Sequence, residues 1–168
     1  MKDYQIGIGG ITKEELLKKI YDKSIRLNPL AEKLIKSELF QMTKTKQIIN
    51  LTGMTLEELG MLEGETGLLD IFERAKEMGL AICLPEVALF LRLSYFEDSE
   101  SHGFEKKYRT PHGAVTVASE IINEDLDFPK GFYLRKVDGD YWLRGYTCDY
   151  EHQFSLDEMF IFMGRIKK

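Results

Sequence analysis

From Thr12 to Leu27, the residues Leu16, Leu17, Ile20, Ser24 and Leu27 follow a helical stripe between lysines and glutamates, which predicts an amphipathic helix. Its start signal is complete: Thr12 caps, Glu15 returns the bond, and Ile11 staples onto Leu16. Asn28-Pro29 ends this helix and opens a second, with Leu30, Leu34, Ile35, Leu39 and Met42 on one face. A third short helix is expected over Lys44 to Leu51, stopping near Gly53. The capping pattern then repeats with Thr55 and Glu58, predicting a fourth helix on which Met54 staples Leu59. A fifth runs from about Gly67 to Met78, capped by Thr66, with Leu68, Leu69 and Phe72 inward and Gly79 as a left-handed stop.

Beyond Gly79 the period changes. Val87, Leu89, Leu91, Leu93 and Tyr95 alternate with Ala88, Phe90, Arg92, Ser94 and Phe96, the pattern of a strand with one apolar face. Ser99 to Gly113 reads as a polar connection, and Val115, Val117 and Ile121 mark a second strand. FYLRKVDGDYWLRGY predicts a hairpin closed by Asp138-Gly139. In that register Leu134 faces Leu143, Tyr133 faces Arg144 and Arg135 faces Trp142; a slip to Gly139-Asp140 would set Arg135 against Arg144. Phe160 to Ile166 closes the chain as a strand whose free edge offers a route to self-pairing.

The expected fold is therefore α+β. About five helices fill an N-terminal helical subdomain, residues 1–79, and a mainly antiparallel sheet of four or more strands fills a β-rich subdomain, residues 80–168. The two pack as one compact unit or as two close lobes dividing near Gly79.

The 168 residues suffice for a sizeable core, and a composition 43% hydrophobic and 30% charged is that of a globular chain without long disorder. The first ten residues hold no apolar stretch of signal-peptide length and nothing later approaches a membrane span, so the expected location is the cytoplasm and no membrane partner is expected. Cys83 and Cys148 are too few for a disulfide framework and match no zinc or redox spacing. Residues 1–60 carry 10 basic and 8 acidic side chains, whereas the other two thirds are acidic. A net charge of −5 argues against a strong non-specific nucleic-acid binder, whose affinity comes from phosphate neutralisation.

Charge also weighs on residues 44–66, whose Gly53, Met54, Leu59 and Leu62 carry the apolar skeleton of a helix-turn-helix. Lys44, Lys46 and Thr55 are its candidate DNA contacts. Against it, Ile49 is large where the two helices must approach, and Glu57, Glu58, Glu63 and Glu65 repel phosphates. DNA binding is the alternative, not the preferred reading.

His102, His112 and His152 show no helical zinc spacing, so neither metal nor cofactor is expected. Cys148 with a loop histidine leaves a second alternative, a small cysteine-dependent hydrolase, although no nucleophile elbow or paired-carboxylate signature accompanies it. Tyr133, Arg135, Trp142 and Arg144 form the candidate binding face, because arginine and aromatic residues dominate binding hot spots. The same residues can also satisfy one another as cross-strand cation–π pairs.

GLAICLPEVALFLRLSY, DGDYWLRGY and FIFMGR together resemble the second half of small bacterial proteins of uncharacterised activity. Those share an LCPxEV-like opening, an apolar LRL-Y strand, a DG-x-WL hairpin and an FVF-type final strand. The resemblance covers about half the chain, its motifs are structural, and it implies no activity; Ser99 to Gly113 departs from it. The preferred reading is a non-enzymatic binding or accessory module whose partner is another protein or a second copy of itself.

Overall fold

The computed structural model of the chain describes residues 1–95, 100 and 113–164. Among them are four helices and seven strands: β1 (Lys2–Ile8), α1 (Lys13–Asp22), β2 (Arg26–Leu27), α2 (Pro29–Lys36), β3 (Gln47–Thr55), α3 (Leu68–Glu77), α4 (Glu86–Ser94), β4 (Val115–Val117), β5 (Gly131–Val137), β6 (Asp140–Tyr146) and β7 (Met159–Met163). The strands form one sheet in the order β1-β3-β7-β4-β5-β6-β2. Its β4–β7 and β2–β6 pairs are parallel and the others antiparallel.

This corrects the expectation of about five N-terminal helices packed with a mainly antiparallel sheet. The sheet is mixed and draws strands from both sides of Gly79. Of the residues expected as the third helix, 47–51 belong to β3 and 44–46 to the loop before it. Ile49 and Leu51 are buried while Ile48 and Asn50 are exposed, an alternation of period two that a short window does not distinguish from a helical stripe. The fourth helix is absent: Thr55 and Glu58 exchange their capping bonds, each 3.1 Å, around a single turn that ends at Gly60.

The opposite error concerns α4, expected as a strand over 87–96. Its residues from Glu86 to Arg92 are all buried, so apolar side chains occupy every direction around the axis and imitate alternation. Packing on all sides, rather than pattern, selects the helix. Phe160 and its neighbours form an interior strand between β3 and β7's other partner β4, so this strand offers no free edge for self-pairing. Residues 165–168, including Ile166, lie outside the described residues.

Several local expectations hold. Thr12 caps α1 with Glu15 in a reciprocal box, Asn28 caps α2 through a 2.8 Å bond from Ala31 N–H, and Gly79 has φ +79 after α3. Thr66 does not cap α3; Gly67 stands at the cap, and the Thr66 hydroxyl donates to the Phe154 carbonyl.

Two cores lie on opposite faces of the sheet. On one face α1, α2 and α4 cover Ile6, Leu51, Ile161, Val117, Phe132 and Leu143. On the other, α3 and the segment after Thr55 enclose Phe160, Phe162, Met54 and Phe154.

Candidate binding surface

Positive φ values at Asp138 (+50) and Gly139 (+82) close the β5–β6 hairpin with the twist that its strands require. The register is the expected one: Leu134 opposite Leu143, Tyr133 opposite Arg144, Arg135 opposite Trp142. Leu134 and Leu143 enter the three-helix core, which directs the four candidate residues to the other face.

There the candidates separate into two classes. Tyr133 and Arg135 are only 5% and 7% exposed, whereas Trp142 and Arg144 are half-buried. Arg144 Nε donates to the Tyr133 hydroxyl at 3.0 Å, and its guanidinium lies 4.8 Å from the Trp142 ring centre. Arg26, opposite Trp142 in the parallel β2–β6 register, brings a second guanidinium to 5.8 Å from that ring and pairs with Asp140 at 3.3 Å. Arg26 was not legible as part of this group, because only tertiary pairing brings it beside a residue more than a hundred positions away.

β2 covers only Trp142 and Leu143 of the β6 edge. Farther along, the Asn28 amide replaces a strand: Gly145 N–H donates to Asn28 Oδ1 at 2.8 Å, and Asn28 Nδ2 donates to Gly145 O at 3.0 Å.

The DNA alternative loses its geometry. Residues 47–55 are a strand, so Lys44 and Lys46 stand exposed in the loop before β3 and Thr55 lies at the strand's end; none belongs to a pair of helices. Glu58, on the adjoining turn, pairs with the Met1 ammonium at 2.6 Å, which holds its carboxyl below the usual range, helped by the Thr55 N–H.

Cys83 is buried and Cys148 partly so, both as free thiols. Burial pushes the Cys83 thiol up to about 12 and that of Cys148 up to about 11; for Cys148, Lys130 opposes the rise and Asp149 adds to it. His152 packs edge-on against Phe154, with ring centres 4.6 Å apart. His102 and His112 lie outside the described residues, as does the expected connection from Ser99 to Gly113 except for Glu100 and Gly113. Among the described residues no three His, Cys, Asp or Glu side chains gather as a metal site.

A cleft of about 800 Å³ lies over β1 and β3. Asp3, Gln5, Asn50 and Thr52 line it, with Met54 and Leu80 beside them. These polar groups bond one another, Thr52 to Asp3 at 3.0 Å and Gln5 to Asn50 at 3.2 Å.

One correction to the helix pattern bears on the surface. Leu68 and Phe72 are buried as expected, but Leu69 is 52% exposed. Among the described residues no helix is long and apolar enough to cross a membrane. Comparison with protein-family models, with curated proteins and with solved structures gives no match for this chain.

Proposed function

We propose that the chain is a non-enzymatic module that acts by binding another protein. The observation that carries this reading is Trp142, half-buried at a thinly covered sheet edge with the guanidinium groups of Arg26 and Arg144 near its ring. Tryptophan and arginine are the residue types that contribute most when a contact becomes fully desolvated. Tyr133 and Arg135, being buried, act as the support that fixes Arg144 and the hairpin rather than as the contact itself.

The state of the thiols favours binding over covalent chemistry. A thiol titrating at about 11 supplies little thiolate at neutral pH, and the thiolate is the nucleophile. Free cysteines also suit a reducing compartment, which agrees with a cytoplasmic location.

Retention of partners from a cell lysate, with and without nuclease, tests the reading. A protein that survives nuclease and is held at least about tenfold less by Trp142→Ala or Arg144→Ala, with the fold intact by circular dichroism, is the expected result. Retention abolished by nuclease, or unchanged in both variants, overturns it.

A further inference from the structure

The face around the start of α3 combines exposed apolar side chains with carboxylates. Leu62 is 64% exposed, Leu69 52% and Tyr150 45%, although each is a large apolar or aromatic side chain. The same two segments of chain carry six exposed carboxylates, Glu63, Glu65, Asp70, Glu73, Asp149 and Glu151. Neither residues 62–73 nor residues 149–153 contain a lysine or arginine.

The two segments are held together by directed bonds. Thr66 N–H donates to Gln153 Oε1 at 2.7 Å, its hydroxyl to Phe154 O at 2.5 Å, and Phe154 N–H returns to Thr66 O at 3.0 Å. Asp149 accepts from the N–H groups of Glu151 and His152, at 3.0 and 2.8 Å, which shapes the loop that presents Tyr150. A surface fixed in this way loses little freedom when it is covered.

From this juxtaposition we infer that the Leu62/Leu69/Tyr150 face docks a basic, amphipathic segment of another protein. Charge complementarity selects the occupant: six carboxylates, against Lys76 and an Arg74 already paired with Glu77 farther along α3, leave a net negative face that attracts lysine- and arginine-rich chains and repels acidic ones. The apolar side chains then require that the segment also carry apolar residues, because polylysine alone would leave them in water. The carboxylates do not converge as a metal site among the described residues, so they match a distributed cation better than an ion.

This inference deepens the proposed protein-binding reading and rests on it. Its test uses the whole chain and a synthetic helical peptide of lysines and leucines, with oligolysine and a glutamate–leucine peptide for comparison, followed by calorimetry. The lysine–leucine peptide should bind more tightly than oligolysine, more weakly as salt rises, and the glutamate–leucine peptide should not bind. Glu63→Lys with Glu151→Lys, and separately Leu62→Ser with Leu69→Ser, should each weaken binding at least about tenfold. Glu14→Lys, a change of two charges on α1 against the opposite sheet face, should leave it unaltered. All substituted side chains are exposed, and thermal melting checks that the fold persists.

Binding that ignores the patch substitutions, or equals that of Glu14→Lys, overturns the inference. So does self-association in sedimentation that the same substitutions abolish, since the occupant is then a second copy. If the peptide fails to bind while a lysate protein is retained through Trp142 and Arg144, the docking face is wrong and the protein-binding reading stands. Failure of both experiments removes both.

Discussion

Gly145 occupies a position where no side chain fits, because a Cβ there would stand 2.6–2.9 Å from Leu30 and Ala31 backbone atoms. Helix α2 therefore reaches the sheet edge only because this residue is glycine. Gly145→Ala should destabilise the protein by about 2–3 kcal/mol, the scale of overpacking against rigid backbone, measured as a lower urea midpoint. Titrating groups act at the same scale. Burial raises Cys83 to about 12, Cys148 to about 11 and the Tyr146 phenol well above its ordinary value. Above pH 9 the unfolded chain loses these protons while the folded chain keeps them, so unfolding is favoured as pH rises toward 12. Stability should be flat with respect to these groups below pH 9 and fall above it. Tyr146→Phe should flatten the upper part of that fall at little cost near neutrality, because its buried hydroxyl has no hydrogen-bond partner among the described residues. An equally steep alkaline loss in this variant would remove Tyr146 from the account.

Local signals at the element scale act differently according to what surrounds them. The Thr12–Glu15 box starts a ten-residue helix, whereas the same bonds between Thr55 and Glu58 close one turn. A cap satisfies backbone donors wherever a turn begins; it does not supply the apolar face that prolongs a helix. Asn28 shows the reverse case, where a cap visible in the sequence has a second role that is not. It bonds Ala31 N–H and both backbone groups of Gly145, joining α2 to β6. Asn28→Ala should cost about 2–3 kcal/mol, beyond the roughly 1 kcal/mol of an ordinary cap such as Thr12→Ala. Equal losses in the two variants, by denaturant titration, would mean that the Gly145 bonds add no net stability.

For the whole molecule, the central position of β7 governs cooperativity. Its Phe160 and Phe162 belong to the α3 core and its Ile161 to the three-helix core, while its neighbours β3 and β4 come from opposite sides of Gly79. Fragments 1–79 and 80–168 should thus each remain unfolded, and the whole chain should unfold in one transition with coincident near- and far-UV circular dichroism. A fragment that folds alone would show that the two cores are separable. The proposed surfaces also belong to this scale, since each combines residues from distant parts of the chain. Trp142 and Arg144 were recognisable from their alternation in a hairpin, but Arg26 joins them only through the β2–β6 register. The acidity of 62–73 is visible in the residues; that Leu69 faces outward follows from the orientation of α3, whose Leu68 and Phe72 take the inward places.

The features legible in the residues alone have causes a few positions apart: the caps of α1 and α2, the Gly79 stop, the Asp138-Gly139 hairpin and its register. Turn geometry, capping bonds and cross-strand charge all act within a short stretch of chain, so the residue types suffice. Tertiary structure alone decided that 47–55 is a strand and 86–94 a helix. β3 gains its backbone hydrogen bonds from β1 and β7, and α4 gains its burial from packing against α1 and the sheet. Those partners lie far along the chain, and a periodic pattern records which residues are apolar, not which neighbours will bury them.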